Sequence, residues 1–267
     1  MKKMLNVLLV FVICAMCVLS GCGDNVSSVN PEGTTTVLTE TENPHFNGAS
    51  IDVNSSEEIW KLYKHENGEH YIDGYNGTDK VVRIPSEVNG IKITGLTGNS
   101  FSYNDVIEEV YIPDSIITVS SHSFYKCSNL KKVVLPEGLE FIGEYAFSYC
   151  SSLAEVTLPG NLEYLGGNAF SMCNSLTTVK FNCTKLTKIP ARCFANSGLK
   201  EVVIPEGVTF IDDSFIQCEH LEKAYIPATV TEMDISFFRC PNVTVYAPAG
   251  SYAEQYAKSE NYNFVAQ

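Results

Sequence analysis

A chain of 267 residues with 45% hydrophobic content can bury a real core and holds one or two domains. Its 31 acidic residues against 18 basic ones leave a formal net charge of −13. That balance excludes nucleic-acid binding as the main task, because displacing phosphate counterions takes clustered Lys and Arg.

Lys2 and Lys3 open the chain, and an apolar run from Met4 to Leu19, broken only by Asn6, follows them. The run is short for a permanent membrane span. It ends in Leu19-Ser20-Gly21-Cys22, and this order of basic, apolar and small residues before a cysteine resembles the bacterial lipobox. The resemblance implies that residues 1–21 are a lipoprotein signal peptide and that Cys22 is lipidated. Two or three acyl chains on one cysteine anchor stably where a single chain does not, so the expected location is extracytoplasmic, on the membrane at the bacterial cell surface. Residues 22–50 then form a tether. Their Ser, Thr, Asn and Gly, with four acids and no base, cannot bury enough surface to offset ordering, so disorder is expected. A flexible coil of this length reaches roughly 30 Å.

Residues 51–81 read as an N-terminal cap. Two alternating runs, around Trp60 to His65 and Glu69 to Tyr75, flank Glu66-Asn67-Gly68. Asn-Gly is a strong hairpin signal because both residues accept positive φ. Trp60, the sole tryptophan, is expected to sit over the first repeat as its lid.

Seven repeats fill residues 82–242. Residues 130–152 and 153–175 align without a gap as L-x-x-V-x-L-P-x-x-L-x-x-I/L-G-x-x-A-F-S-x-C-x-S, a period of 23 residues. A period of this size marks a solenoid, since one unit cannot bury its apolar face alone and stacked units share a core. Within a unit, Val133 and Leu135 alternate as a strand and point inward, with Val134 outward. Pro136 has no amide hydrogen for a ladder and ends the strand. Leu139 and Ile142 return to the core on a short second strand, Gly143 turns the chain, and Ala146-Phe147 packs at a turn or a 3₁₀ fragment on the opposite side. Strands stacked about 4.8 Å apart over seven coils give a rod of roughly 35 Å. The first unit carries a longer loop at residues 86–94. The fifth, residues 176–198, gains one residue before Leu186, loses one after Phe194, and has Asn182 in place of the proline. The sixth and seventh are each one residue short.

The L-x-x-V-x-I-P…I-G-x-x-A-F-x-x-C unit resembles the BspA-like leucine-rich repeat family of bacterial surface proteins. The likeness runs from about Tyr71 to the C-terminus. It implies a leucine-rich-repeat solenoid, a β-rich right-handed superhelix with a parallel strand ladder, and adhesion or protein–protein interaction at the cell surface without catalysis. Residues 243–267 close the fold as a C-terminal cap. They read as a strand at Val243 to Tyr246, Ser251 as helix N-cap, a short helix with Tyr252 and Tyr256 on one face, and a last strand at Asn261 to Val265.

Candidate chemistry is sparse. Seven cysteines follow Cys22. Cys127, Cys150, Cys173, Cys218 and Cys240 each lie three residues after a Phe and should form a buried structural column of small apolar side chains. Disulfides between neighbouring coils and a zinc site are the alternatives, the latter disfavoured by the absence of C-x-x-C after Cys22. No metal or cofactor is expected. The five histidines fall in the tether, hairpin and turns, no nucleophile elbow, phosphate loop or H-E-x-x-H occurs, and Asp212-Asp213 read as solvated turn residues. What remains is surface. The outward ladder positions Tyr111, Val134, Thr157, Lys180, Val203 and Tyr225 should line one continuous face, flanked by Glu109, Lys132, Glu155, Thr178, Glu201 and Lys223 in alternating sign. The expected partner is another protein, of the host or a cell surface, with a glycan or other solute as alternative ligand. A surface hydrolase is a more remote reading.

Overall fold

The computed structural model describes residues 59–267. The expected leader, Cys22, the tether and the start of the N-terminal cap lie outside the described residues. β1 (Trp60–Lys64) and β2 (His70–Tyr75) form the expected antiparallel hairpin, with Lys64 opposite His70. Its turn differs from expectation. His65 N–H donates to Glu69 O (2.8 Å), Gly68 N–H donates to His65 O (2.9 Å), and Gly68 alone takes a positive φ, at 92°. This is a three-residue loop with one left-handed glycine, not a two-residue turn built on both Asn67 and Gly68.

β3 (Val81–Arg83) opens the first coil. The stretch read as a plain loop holds a miniature hairpin, β4 (Glu87–Val88) and β5 (Ile91–Lys92), turned by Asn89 and Gly90 at φ 52° and 81°. β6 (Gly95–Leu96) completes that coil. Each later coil supplies a strand of three or four residues and then one of two. These are β7 (Glu109–Tyr111) and β8 (Thr118–Val119), β9 (Lys132–Val134) and β10 (Phe141–Ile142), then β11 (Glu155–Leu158) and β12 (Tyr164–Leu165). β13 (Thr178–Phe181) and β14 (Lys188–Ile189), β15 (Glu201–Val203) and β16 (Phe210–Ile211), and β17 (Lys223–Tyr225) and β18 (Glu232–Met233) follow. β19 (Thr244–Ala247), α1 (Tyr252–Ser259) and β20 (Asn263–Ala266) close the chain, with Ser251 capping α1 by accepting from Glu254 N–H.

The first strand of each coil stacks in parallel as one ladder and the second as another, which the β1–β2 hairpin joins through β6, while β4 and β5 pair only with each other. The prolines act as the sequence predicts. Leu139 N–H closes a turn onto Pro136 O at 3.1 Å, and Ile116, Leu162, Val208 and Val230 do the same onto Pro113, Pro159, Pro205 and Pro227. In the fifth coil Asn182 keeps the amide hydrogen that proline lacks and donates it to Leu158 O at 2.9 Å, so β13 continues to Phe181. Both ladders are interrupted at this coil. The first divides into β3-β7-β9-β11-β13 and β15-β17-β19-β20, and the second parts between β12 and β14. The residue gained before Leu186 lies on the connection between β12 and β14, where the second ladder parts, whereas the first parts between β13 and β15, which keep the ordinary separation.

The third side is made of turns, and among the described residues no 3₁₀ segment occurs. Its phenylalanines form a column inside the stack. Rings of Phe101, Phe124, Phe147, Phe170, Phe194, Phe215 and Phe237 follow one another at 4.8, 5.0, 5.1, 5.7, 5.5 and 5.9 Å, nearly parallel throughout. All are buried, and each stacked pair adds about 0.5–1.5 kcal/mol beyond area burial. Trp60 and Tyr75 close the column over Phe101 at 6.3 and 5.7 Å, so Trp60 is the lid the sequence anticipates. Tyr256 and Tyr262 close the other end over Phe237.

Candidate functional site

The first ladder presents the predicted face, with changes. Register places Arg83 beside Tyr111 and Tyr111 beside Val134, then Thr157 beside Lys180, and Val203 beside Tyr225. Val134, Thr157, Lys180 and Val203 are exposed, whereas Tyr111 and Tyr225 are half-buried. The face is not continuous, because Lys180 on β13 and Val203 on β15 belong to different sheets. It also extends beyond Tyr111 at one end and Tyr225 at the other. Arg83 lays its guanidinium over the Tyr111 ring at 4.1 Å and Lys132 approaches the same ring at 5.2 Å. The Tyr111 hydroxyl donates to Glu109 Oε2 at 2.7 Å. At the far end Tyr225 stacks on Tyr246 at 4.8 Å. Arg83 and Tyr246 escape a reading confined to Tyr111–Tyr225, yet both occupy the same outward position one strand further on.

The flanking charges pair modestly. Lys223 lies 3.7 Å from Glu201, and Lys180 lies 4.0 Å from Glu155. Glu108 is stronger. It meets Lys80 and Lys131, each at 2.7 Å, and hydrogen bonds from Lys131 and then Lys80 hold its carboxyl down at about 2. Asp212 and Asp213 are not the freely solvated pair expected. Lys188 Nζ lies 2.9 Å from Asp212, and Arg192 Nε lies 3.3 Å from Asp213 one coil below. Burial raises the Asp213 carboxyl, with Arg192 opposing.

All seven cysteines of the described residues are free and buried. In the column, each thiol donates to the backbone carbonyl of a phenylalanine in the coil before. Cys127 bonds Phe101 O at 3.1 Å, Cys150 bonds Phe124 O at 3.2 Å and Cys173 bonds Phe147 O at 3.2 Å. Cys218 and Cys240 bond Phe194 O and Phe215 O, both at 3.1 Å. Burial holds the Cys127 and Cys173 thiols at about 12, so they stay protonated donors. A protonated thiol is neither a nucleophile nor a metal ligand. In the fifth coil Ser197 stands in the column and contacts Cys218 Sγ at 3.2 Å.

A second surface, on the turn side, was not anticipated. The residue two places after each column phenylalanine has a left-handed backbone: Tyr103, Lys126, Tyr149, Met172, Asn196, Gln217 and Arg239, all at φ between 56° and 61°. Such residues seldom adopt this region without a fixed cause. Here the cause is a ladder of amides. Tyr103 N–H donates to Tyr125 O (2.7 Å), Lys126 to Ser148 O (2.8 Å), Tyr149 to Ser171 O (2.9 Å) and Met172 to Ala195 O (2.8 Å), each in the next coil. Tyr125 packs edge-on against Tyr103 and Tyr149 at 5.5 and 5.7 Å, and Lys126 Nζ lies over all three rings. Counting two residues on from each repeat phenylalanine finds this row in the sequence.

Comparison with known proteins bears on the fold. No curated protein matches the chain. The T. pallidum leucine rich repeat protein TpLRR is similar over 80% of this chain and 100% of its own, at 18% identity and a TM-score of 0.51. The pneumococcal vaccine antigen PcpA is similar over 76% of this chain and 51% of its own, at 23% identity and a TM-score of 0.51. Residues 94–222 match six copies of the BspA type leucine rich repeat region. With its parallel ladders and phenylalanine column, the stretch 94–222 belongs to the BspA type of leucine-rich repeat region.

Proposed function

We propose that this chain is a lipid-anchored, extracytoplasmic repeat protein that binds another protein through its first strand ladder and does so without chemistry. The observation that carries the reading is the pairing at the two ends of that ladder, Arg83 on Tyr111 and Tyr225 on Tyr246. Tyr and Arg held rigidly at a surface are the residue types that dominate binding energy at interfaces. Between them Val134, Thr157 and Val203 offer small, β-branched, exposed side chains. The repeat family is consistent with an interaction role. Among the described residues no helix is long and apolar enough to cross a membrane, and the anchor is assigned to Cys22 from the lipobox resemblance.

Two measurements test this. A Cys22→Ser chain should lose incorporation of an alkynyl fatty acid and pass from the detergent phase to the aqueous phase; unchanged partition removes the anchor. In pull-downs with the full-length chain, Tyr111→Ala combined with Tyr225→Ala should abolish capture of a partner protein held by the wild type. Undiminished capture removes the ladder as the binding face.

A further inference from the structure

The turn side carries two parallel rows. The first is Tyr103, Lys126, Tyr149 and Met172, described above. The second lies two residues further along each coil and consists of Asp105, Ser128, Ser151 and Asn174. The eight side chains line one open groove of about 560 Å³, a size usual for small-ligand sites. One wall is two rings with the Lys126 side chain between them and a long thioether beyond, and the other is short hydrogen-bonding groups. Both repeat at the coil spacing, which the column beneath sets at 4.8 to 5.1 Å. Tyr103 is 64% exposed and Tyr149 37%, so each ring leaves apolar surface to solvent.

The charges narrow the ligand. Asp105 and Lys126 are the only ionised groups of the groove, and they cancel. Among the described residues neither is within salt-bridge distance of an opposite charge, and the ammonium of Lys126 is held against three aromatic faces instead. A polyanion approaching a chain of net charge −13 would meet one cation here, and a polycation would meet that same lysine. A neutral chain with one apolar and one hydroxylated aspect per repeat fits both walls. Sugar rings have this form: C–H faces lie on aromatic rings while hydroxyls reach carboxylate, hydroxyl and amide groups. One pyranose of an extended oligosaccharide is also comparable in length to one coil step.

We infer that the groove between Tyr103 and Asn174 is a binding site for a neutral oligosaccharide. The sugar lies along the stack, its rings on Tyr103 and Tyr149, its hydroxyls shared among Asp105, Lys126, Ser128, Ser151 and Asn174. The site is on the turn side and does not depend on the ladder reading.

The left-handed backbone supplies a fold-preserving variant, since the fifth coil already carries asparagine at the same position and the same φ, at Asn196. Calorimetric titration of the full-length chain with cellohexaose, laminarihexaose, mannohexaose and chitohexaose should reveal binding by at least one of them. Tyr103→Asn and Tyr149→Asn should each weaken it about fivefold to tenfold, from the worth of one ring contact. Thermal melts of both variants should match the wild type, and capture of a protein partner by the ladder should be unchanged. Failure of all four sugars to bind overturns the inference. So does binding that both Asn variants retain, or binding of heparin in place of the neutral sugars.

Discussion

Coils three and four obey the repeat at every position, whereas coil five carries an extra residue, a missing residue and an asparagine for proline. The two regions differ sharply in backbone and hardly at all in core. Around coils three and four, both ladders run without interruption; at coil five both stop and restart. Yet the phenylalanine spacing across coil five, 5.7 Å to Phe170 and 5.5 Å to Phe215, is only slightly wider than the 5.0 and 5.1 Å about Phe147. The second ladder parts where the inserted residue lies, whereas the shortened sixth and seventh coils keep both ladders paired. A ring column is held by contact area, and a short turn absorbs the same insertion. In this solenoid the ring column, with the turn-side amides beside it, joins the two halves where strand pairing lapses.

The largest test of that contrast removes one ring from each region. Phe147→Ala and Phe194→Ala should each cost about 3–5 kcal/mol, the range for emptying a buried phenylalanine site. Their unfolding should differ in kind. Phe147→Ala should leave one transition in urea, because intact ladders still bind its neighbours. Phe194→Ala should split it, with Trp60 fluorescence, which reports the N-terminal end, departing from far-UV circular dichroism, which reports the whole stack. Coincident transitions for Phe194→Ala would show that the halves are joined by something other than the column.

A smaller effect is expected at the close approach of coils two and three. A Cβ on Gly143 would overlap the backbone of Ser120 and Ser121, whereas at Gly138 the nearest atom is Asp114 O at 3.7 Å. Gly143→Ala should therefore destabilise by about 1–3 kcal/mol, the cost of overpacking. Gly138→Ala should be close to neutral, and chemical denaturation compares the two directly. The smallest effect is electrostatic. The Glu108 carboxyl, depressed to about 2 from an ordinary 4.5, contributes stability that is present above 4.5 and lost as pH falls toward 2. Glu108→Gln should remove that acid-limb slope from a plot of melting temperature against pH. The absolute change should be slight, because the group is exposed and screened.

The repeat was legible because Leu130, Val133, Pro136, Ile142, Phe147 and Cys150 each meet a like residue one coil away, so packing imposes the same type at each step. The lid role of Trp60 and the cap at Ser251 followed from ordinary end chemistry. The hairpin at Asn89-Gly90 carries its own signal in that dipeptide, but its strands are two residues each, too short to show an alternating pattern. The break in the ladders was half visible: the altered spacing of coil five is plain, but spacing alone does not say which connection gives way. The turn-side row was hidden for a different reason. Its position holds Tyr, Lys, Tyr, Met, Asn, Gln and Arg in turn, so no residue type recurs, and most of these give no hint of a left-handed backbone. That conformation is imposed by amides of adjoining coils, a tertiary cause that a single unit does not contain. Arg83 and Tyr246 hold the same outward position on β3 and β19, one strand outside the run from Tyr111 to Tyr225.

Trp60 with Tyr75 at one end, and Tyr256 with Tyr262 at the other, have a consequence for how such a molecule can change size. A stack whose floor and roof are both sealed by dedicated aromatics cannot lengthen by adding units to its tips, nor join a second copy end to end through bare core. Growth must happen in the middle, by copying a whole turn of chain between intact neighbours. Each turn inserted there would bring its own ring to the file and one new, freely chosen side chain to the outer row.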